Sequence, residues 1–268
     1  IRDFRDEAGQ NVPTFNIGFW SASAGAEQYS IGNKLDQDIL QLSDNFTYYL
    51  NNEHTLTAGF SLENYSFVNG FFRNFNGTYY YANEDALISG STWRYELTYS
   101  AVDDPQPFAK VKASLLGFYG QDTWKVNDQL QLTSGLRVDI PTFPENPVAN
   151  DTVAAYFSDR GLKTDQMPSG NLHVSPRVGF NYDMKDANKT LVRGGLGIFS
   201  GSPKFVWMSN NYSNSGMLLK TIRTSSAVPF DLDRADQIAS LIDSSIIVPG
   251  AYQTSEINLV DKDLKFPQ

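Results

Sequence analysis

The sequence has no cysteine in 268 residues and only two histidines, His54 and His173. Disulfides, thiolate catalysis and thiolate metal sites are therefore excluded, and a zinc site would need both distant histidines plus carboxylates. Basic residues are outnumbered, 21 against 30 acidic ones, giving a net charge of −9. A surface of that sign repels phosphate and argues against nucleic acid as a partner. No apolar run approaches the roughly eighteen residues of a membrane-crossing helix. Ile1 stands in place of an initiator methionine, and the opening residues are too polar for a signal peptide. The chain therefore reads as a piece of something longer.

Aromatic residues are abundant, with 18 Phe, 14 Tyr and 4 Trp beside 20 Gly. That composition favours strands and turns over helices. Period-two alternation is the strongest pattern. From Leu40 to Leu50 the even positions (Leu40, Leu42, Asp44, Phe46, Tyr48) are mostly apolar and the odd ones mostly polar. After the turn Asn51-Asn52-Glu53-His54, Leu56, Ala58, Phe60 and Leu62 resume the apolar set. A second pair runs from Leu116 to Val126 and from Leu130 to Asp139. A third runs from Arg177 to Met184 and from Val192 to Phe199, turning through Lys185–Lys189. Six strands of about ten residues follow, each with one apolar side.

The connections alternate in length. Turns within pairs are short, whereas about 45 residues follow Asn69, about 35 follow Pro141 and nearly 70 follow Gly201. A compact soluble domain does not need three such loops, but a transmembrane β-barrel does, with tight periplasmic turns and long extracellular loops. Ten residues also suit a tilted strand crossing the hydrocarbon layer. Alternation alone serves a soluble sandwich equally well; the loop lengths favour the barrel. On that reading Tyr48, Trp124 and Tyr182 form an aromatic girdle at the short-turn ends. Arg137, Asp139, Arg177, Asp183 and Arg193 fall on the polar, lumen-facing side. Within the loops, Asp231–Ile242 reads as a short helix with an acidic start, Asn83–Ile88 as one or two helical turns, and Trp93–Ser100 as a strand extension above the membrane.

Chemistry has little foothold. No nucleophile elbow, phosphate loop or dinucleotide fingerprint occurs, and Gly201-Ser202-Pro203 reads as a turn. His54 reads as a solvated turn residue and His173 as structural. The acidic pairs Asp103-Asp104, Asp231/Asp233 and Asp261/Asp263 lack the spacing of a calcium loop. The six Asn-x-Ser/Thr sequons, at Asn45, Asn64, Asn76, Asn150, Asn188 and Asn211, carry no information in a chain this rich in asparagine. Neither catalysis nor a cofactor is expected. The one site-like feature is the aromatic set Phe71, Phe72, Phe75, Tyr79, Tyr80, Tyr81 and Trp93 in the first long loop, with Phe205, Trp207 and Tyr212 in the last. These are candidate ligand contacts, or else self-packing residues that order the loops.

The hairpin Gly117-Phe118-Tyr119-Gly120-Gln121-Asp122-Thr123-Trp124-Lys125-Val126, then Leu130-Gln131-Leu132-Thr133-Ser134-Gly135-Leu136-Arg137-Val138-Asp139, resembles one widespread in TonB-dependent outer-membrane receptors. Ser175-Pro176-Arg177-Val178-Gly179-Phe180 looks like the next strand of that family, and His54–Phe60 like its preceding hairpin. Asn69-Gly70-Phe71-Phe72 is similar to the Oar-like branch common in Bacteroidetes-type bacteria. Val138 in place of the usual tyrosine and Thr123 in place of the frequent glutamate depart from the pattern.

The resemblance implies an antiparallel barrel of 22 strands, of which this chain is a partial domain over residues 1–268 without plug, signal peptide or remaining strands. Phe266-Pro267-Gln268 would approach a further strand. It also implies active nutrient uptake, in which the TonB complex draws on the proton-motive force to displace the plug. Partners would be the lipid bilayer, the protein's own plug and the TonB complex, with a surface lipoprotein as a further candidate. The lumen charges, Arg137, Arg177 and Arg193 among them, would hold the plug. The alternatives are an adhesion or assembly scaffold without transport, and a soluble secreted β-sandwich that binds glycans through its aromatic loops.

Overall fold

The computed structural model of the chain describes residues 12–18, 22–185, 190–201, 205–249 and 256–267. In chain order it forms β1 (Thr14–Ile17), β2 (Ala22–Gly25), β3 (Lys34–Tyr49), β4 (His54–Gly70) and β5 (Thr78–Tyr81). Helix α1 (Glu84–Ile88) then leads to β6 (Thr92–Ser100), β7 (Ala109–Lys125) and β8 (Leu130–Thr142). Helix α2 (Asp151–Tyr156) precedes β9 (His173–Asp183) and β10 (Leu191–Gly197). Last come α3 (Phe205–Ser213), β11 (Leu219–Thr224) and α4 (Arg234–Asp243).

Six strands make one sheet in the order β10-β9-β8-β7-β4-β3, every neighbouring pair antiparallel. This is the meander expected from three consecutive hairpins. The first two turns share one device. Asn51 Oδ1 accepts the Glu53 and His54 N–H groups at 2.8 and 2.7 Å, and Asn127 Oδ1 accepts those of Gln129 and Leu130 at 2.8 and 2.9 Å. An asparagine side chain that mimics the backbone in this way fixes the turn and so the register. The third turn, at residues 186–189, lies outside the described residues, as do Asn188 and the Ser202-Pro203 of the Gly201 turn.

The strands are longer than ten residues where it matters: 16 in β3 and 17 in both β4 and β7. The reason is an inversion of polarity along the sheet. Below a line through Leu40, Leu62 and Leu116 the even positions are mostly apolar, with Asp44, Asp122 and Ser134 among the exceptions. Above it the even positions of β7 are Lys110, Lys112 and Ser114, while the odd Ala109, Val111 and Ala113 are buried. In β4, likewise, Phe67 is buried and Ser66 exposed. A strand that changes solvent halfway must change its apolar face there, so period-two reading loses the strand at that point.

Above the inversion the inner face carries a core. Phe67, Val111 and Ala113 pack with Phe143, Met167, Met208, Val260 and Phe266. Phe205 of α3 joins them, its ring 4.4 Å from Tyr65 and 5.6 Å from Phe67. The segment before β3 and the long connections together build a second, five-stranded sheet in the order β11-β6-β5-β1-β2. Its β1 and β5 run parallel and its other pairs antiparallel. Trp93–Ser100 is thus a strand, but one belonging to this separate sheet. One side of the sheet, through Tyr79, Tyr95, Leu97 and Ile222, packs on Leu241 of α4. As expected, α4 starts on an acidic cap: Asp233 accepts the N–H groups of Ala235 and Asp236. The fold is mostly β rather than all β, and its six-stranded sheet does not close. Among the described residues β3 and β10 are its two unpaired edges.

Candidate functional site

Cross-strand pairing settles which side chains share a face. On the even side, from the short turns upward, the rows are His54–Trp124–Leu132–Phe180, Leu56–Asp122–Ser134–Val178, Ala58–Gly120–Leu136, Phe60–Phe118–Val138 and Leu62–Leu116–Ile140. The side is apolar and open: Phe118, Leu136, Val178 and Leu196 are 50, 48, 54 and 81% exposed. From His54 to Leu62 the rise is eight residues, which at about 3.4 Å each and about 40° of tilt gives about 21 Å. That is close to the apolar band of an outer-membrane barrel. Tyr48, Trp124 and Tyr182 stand on this side within a few residues of the short turns, paired with Leu56, His54 and Leu130. His54 is the first residue of β4 rather than a free turn residue. Its Nδ1 lies 2.8 Å from Asp122 Oδ2 and its ring stacks on Trp124 at 5.5 Å.

The odd side is polar, and its groups answer one another. Asp139 Oδ1 lies 2.7 Å from Arg137 Nη2, and Arg137 Nε also donates to Asp139 at 2.9 Å. Arg137 Nη2 donates to Ser61 Oγ at 2.9 Å, and the guanidinium lies 5.8 Å from the Tyr119 ring. Arg177 donates to Gln121 Oε1 at 2.9 Å. Asp183 caps its own turn by accepting the Lys185 N–H at 2.9 Å, and Arg193 stands opposite Asn181. The structure thus brings Arg137 and Asp139 together and sets Arg177 one row below, with Asp183 and Arg193 apart near the short turns. Glycines leave room for these groups. A Cβ on Gly117 would fall 2.6 Å from Asp139 Oδ1 and 2.8 Å from Ser61 Oγ. Two hollows remain: about 360 Å³ beside Ser43, Asn45, Tyr119 and Arg177, and about 200 Å³ beside Glu63, Arg137, Asp139 and His173. His173 is 1% exposed and stacks flat on Phe266 at 5.2 Å.

Of the aromatic set, Phe72, Phe75, Tyr79, Tyr80, Tyr81, Phe205 and Tyr212 are buried in the three apolar cores or beside them. Phe71 is half-buried, and Trp93 and Trp207 are 40 and 65% exposed. Burial holds the Tyr79 and Tyr95 hydroxyls well above their ordinary pKa and pushes Tyr212 up to about 12.

Two features of the five-stranded layer had no sequence signal, because their parts lie far apart in the chain. Glu96, 3% exposed, is ringed by Arg223 Nε at 2.7 Å, Arg94 Nε at 3.5 Å and Arg73 at 4.0 Å, and accepts from Asn74 Nδ2 at 2.9 Å. Arg234 reaches from α4 to the Phe75 and Thr98 carbonyls, and its burial lowers its pKa to about 10. Among the described residues no group of histidines and carboxylates is placed to hold a metal ion.

A sheet with one lipid-like face, one polar face and a water-facing upper rim is the wall of a membrane barrel; strands, not helices, make the crossing. The chain belongs to the outer membrane beta barrel domain family, whose model matches residues 3–267. No curated protein and no solved structure matches the chain. The protein resides in the outer membrane of a Gram-negative bacterium. The soluble-sandwich alternative falls with that assignment, and the apolar side faces the bilayer.

Proposed function

We propose that the chain supplies wall and extracellular face to a TonB-dependent transporter of the Oar-like branch, serving active nutrient uptake through a barrel of about 22 strands. The inner face carries the argument. A narrow barrel fills itself with bulky side chains. Here the inner rows instead hold Ser43, Ser61 and Gly117, or Thr47, Thr57, Gln121 and Gly135, and leave hollows of about 200 and 360 Å³. Such a surface suits a wide lumen filled by a polar plug, with Arg137, Arg177 and Arg193 available to hold it. The layer over the mouth would bind the nutrient and any surface lipoprotein partner. The reading needs neither a catalytic residue nor a cofactor. A second reading, a scaffold for adhesion without transport, draws on the separate core of the five-stranded layer.

The test uses the full-length protein in its own outer membrane, with a photoreactive side chain at Thr47 or Gln121. Transport requires crosslinks to a plug within the same chain, and a crosslinking pattern that changes when TonB is deleted. An inner face that crosslinks to no plug, or is indifferent to TonB, assigns the scaffold.

A further inference from the structure

The chain as a whole carries a net charge of −9, yet one face of the five-stranded sheet reverses that balance. Glu96 of β6 and Arg223 of β11 stand opposite each other there, on the side that α4 does not cover. Three guanidinium groups, of Arg73, Arg94 and Arg223, come within 4.0 Å of the buried Glu96 carboxylate. Among the described residues Glu256 is the one other carboxylate so close, and it reaches Arg73 alone, at 4.0 Å. Arg94 and Arg223 are left to share a single oxygen, Glu96 Oε1, at 3.5 and 2.7 Å. They meet it as charges and not through aimed N–H groups. Oε1 and the buried Arg94 Nε both lack a hydrogen-bond partner among the described residues.

The pair can be reached from solvent. The Arg223 side chain is 53% exposed and that of Arg94 26%. The Arg94 guanidinium lies 4.0 Å from the centre of the Tyr80 ring and 4.6 Å from that of Trp93, which is 40% exposed. Two guanidinium groups that share one carboxylate oxygen repel each other, and a second anion relieves the repulsion. A cation is repelled at the same place, and an uncharged ligand gains nothing from the excess charge. The planar donor fork of arginine matches the spacing of oxygens in an oxyanion.

We infer that Arg94 and Arg223 form a binding site for an oxyanionic group, carboxylate or sulfate, seated beside Trp93. Glu96 is a positioning residue. Its buried carboxylate gathers the arginines and also competes with the ligand for their charge. The inference needs only the five-stranded layer and holds whether the barrel transports or anchors.

The test follows Trp93 fluorescence in the full-length protein in nanodiscs, taken as the difference between wild type and Trp93→Phe. Sodium sulfate and sodium acetate are each titrated against sodium chloride at fixed ionic strength, so that general screening cancels. Wild type should show a saturating change with at least one oxyanion; saturation by sulfate alone assigns a tetrahedral anion, and by acetate alone a carboxylate. Arg223→Gln should weaken binding by about five-fold, the scale of one partly exposed charge pair. Glu96→Gln should act in the opposite direction and tighten it by a similar factor, a gain that a misfolded layer cannot produce. No saturation by either oxyanion in wild type overturns the inference. So does an affinity indifferent to Arg223→Gln, or one that Glu96→Gln fails to raise.

Discussion

The inversion of polarity along β7 makes a prediction with four arms. Phe118 is 50% exposed on the lipid side, one row above the middle of the apolar band. Phe118→Arg should cost about 2–4 kcal/mol, the range for arginine near the midplane. At about 1.4 kcal/mol per factor of ten, that lowers the folding equilibrium by about 30- to 1,000-fold. Thr133 faces the lumen between Thr123 and Gly179, so Thr133→Arg enters water and should cost under about 1 kcal/mol, like most surface changes. Above the inversion the order reverses. Val111→Glu places a carboxylate where Val111 is 1% exposed, against Phe67 and the α3 core. It should cost on the order of 3 kcal/mol or more from lost packing and a buried polar group. Lys112→Glu, on the exposed side one residue away, should be nearly neutral apart from loosening the 3.7 Å pair with Glu145. Urea unfolding of the full-length protein in vesicles, followed by tryptophan fluorescence and heat-modifiable migration, reads all four. Equal tolerance of Phe118→Arg and Thr133→Arg would refute the face assignment. Equal damage from Lys112→Glu and Val111→Glu would refute the inversion.

Two further outcomes follow from the polar face of the six-stranded sheet and from the core packed on its upper part. Gly117→Ala should break the Arg137–Asp139–Ser61 cluster, because the added methyl takes the space those groups occupy; a loss of about 1–3 kcal/mol in the same urea assay is expected, and a neutral result would show that the cluster can move aside. Tyr212 stays protonated in the fold up to about pH 12 while an unfolded tyrosine ionises near 10, so the unfolded state releases its proton first. Stability from this side chain is then full below pH 10 and falls by up to about 3 kcal/mol as pH rises from 10 to 12. Tyr212→Phe, which also loses the 2.5 Å bond to the Glu145 carbonyl, should blunt that alkaline slope, and an unchanged slope would assign it to other groups.

The wall was legible and the layer above it was not, for one physical reason. Between the short turns and the inversion each strand has one lipid side and one lumen side, so local alternation carries the whole answer. The parity read from Leu56, Phe118, Leu132 and Val178 is the parity the register shows. The pairing of Arg137 with Asp139 needed only that these neighbours-but-one share a face. Past Leu62 and Leu116 the same rule hides the strand, since Phe67 and Val111 look misplaced until a core is known to lie inside. In the five-stranded layer the strands are four to nine residues long and join partners far apart in sequence. Thr14 pairs with Thr78 and Glu96 with Arg223. The helix α4 was visible because its acidic cap and apolar spacing are local. Glu96 and its ring of arginines were invisible because Arg73 and Arg223 come from segments other than the β6 that carries Arg94 and Glu96. The aromatic residues were the hardest case. Tyr79 and Trp93 look alike in sequence as loop aromatics, yet one is 1% exposed and the other 40%. Only the packing of β11 and α4, which come more than 100 residues later, decides that the Tyr79 ring becomes core.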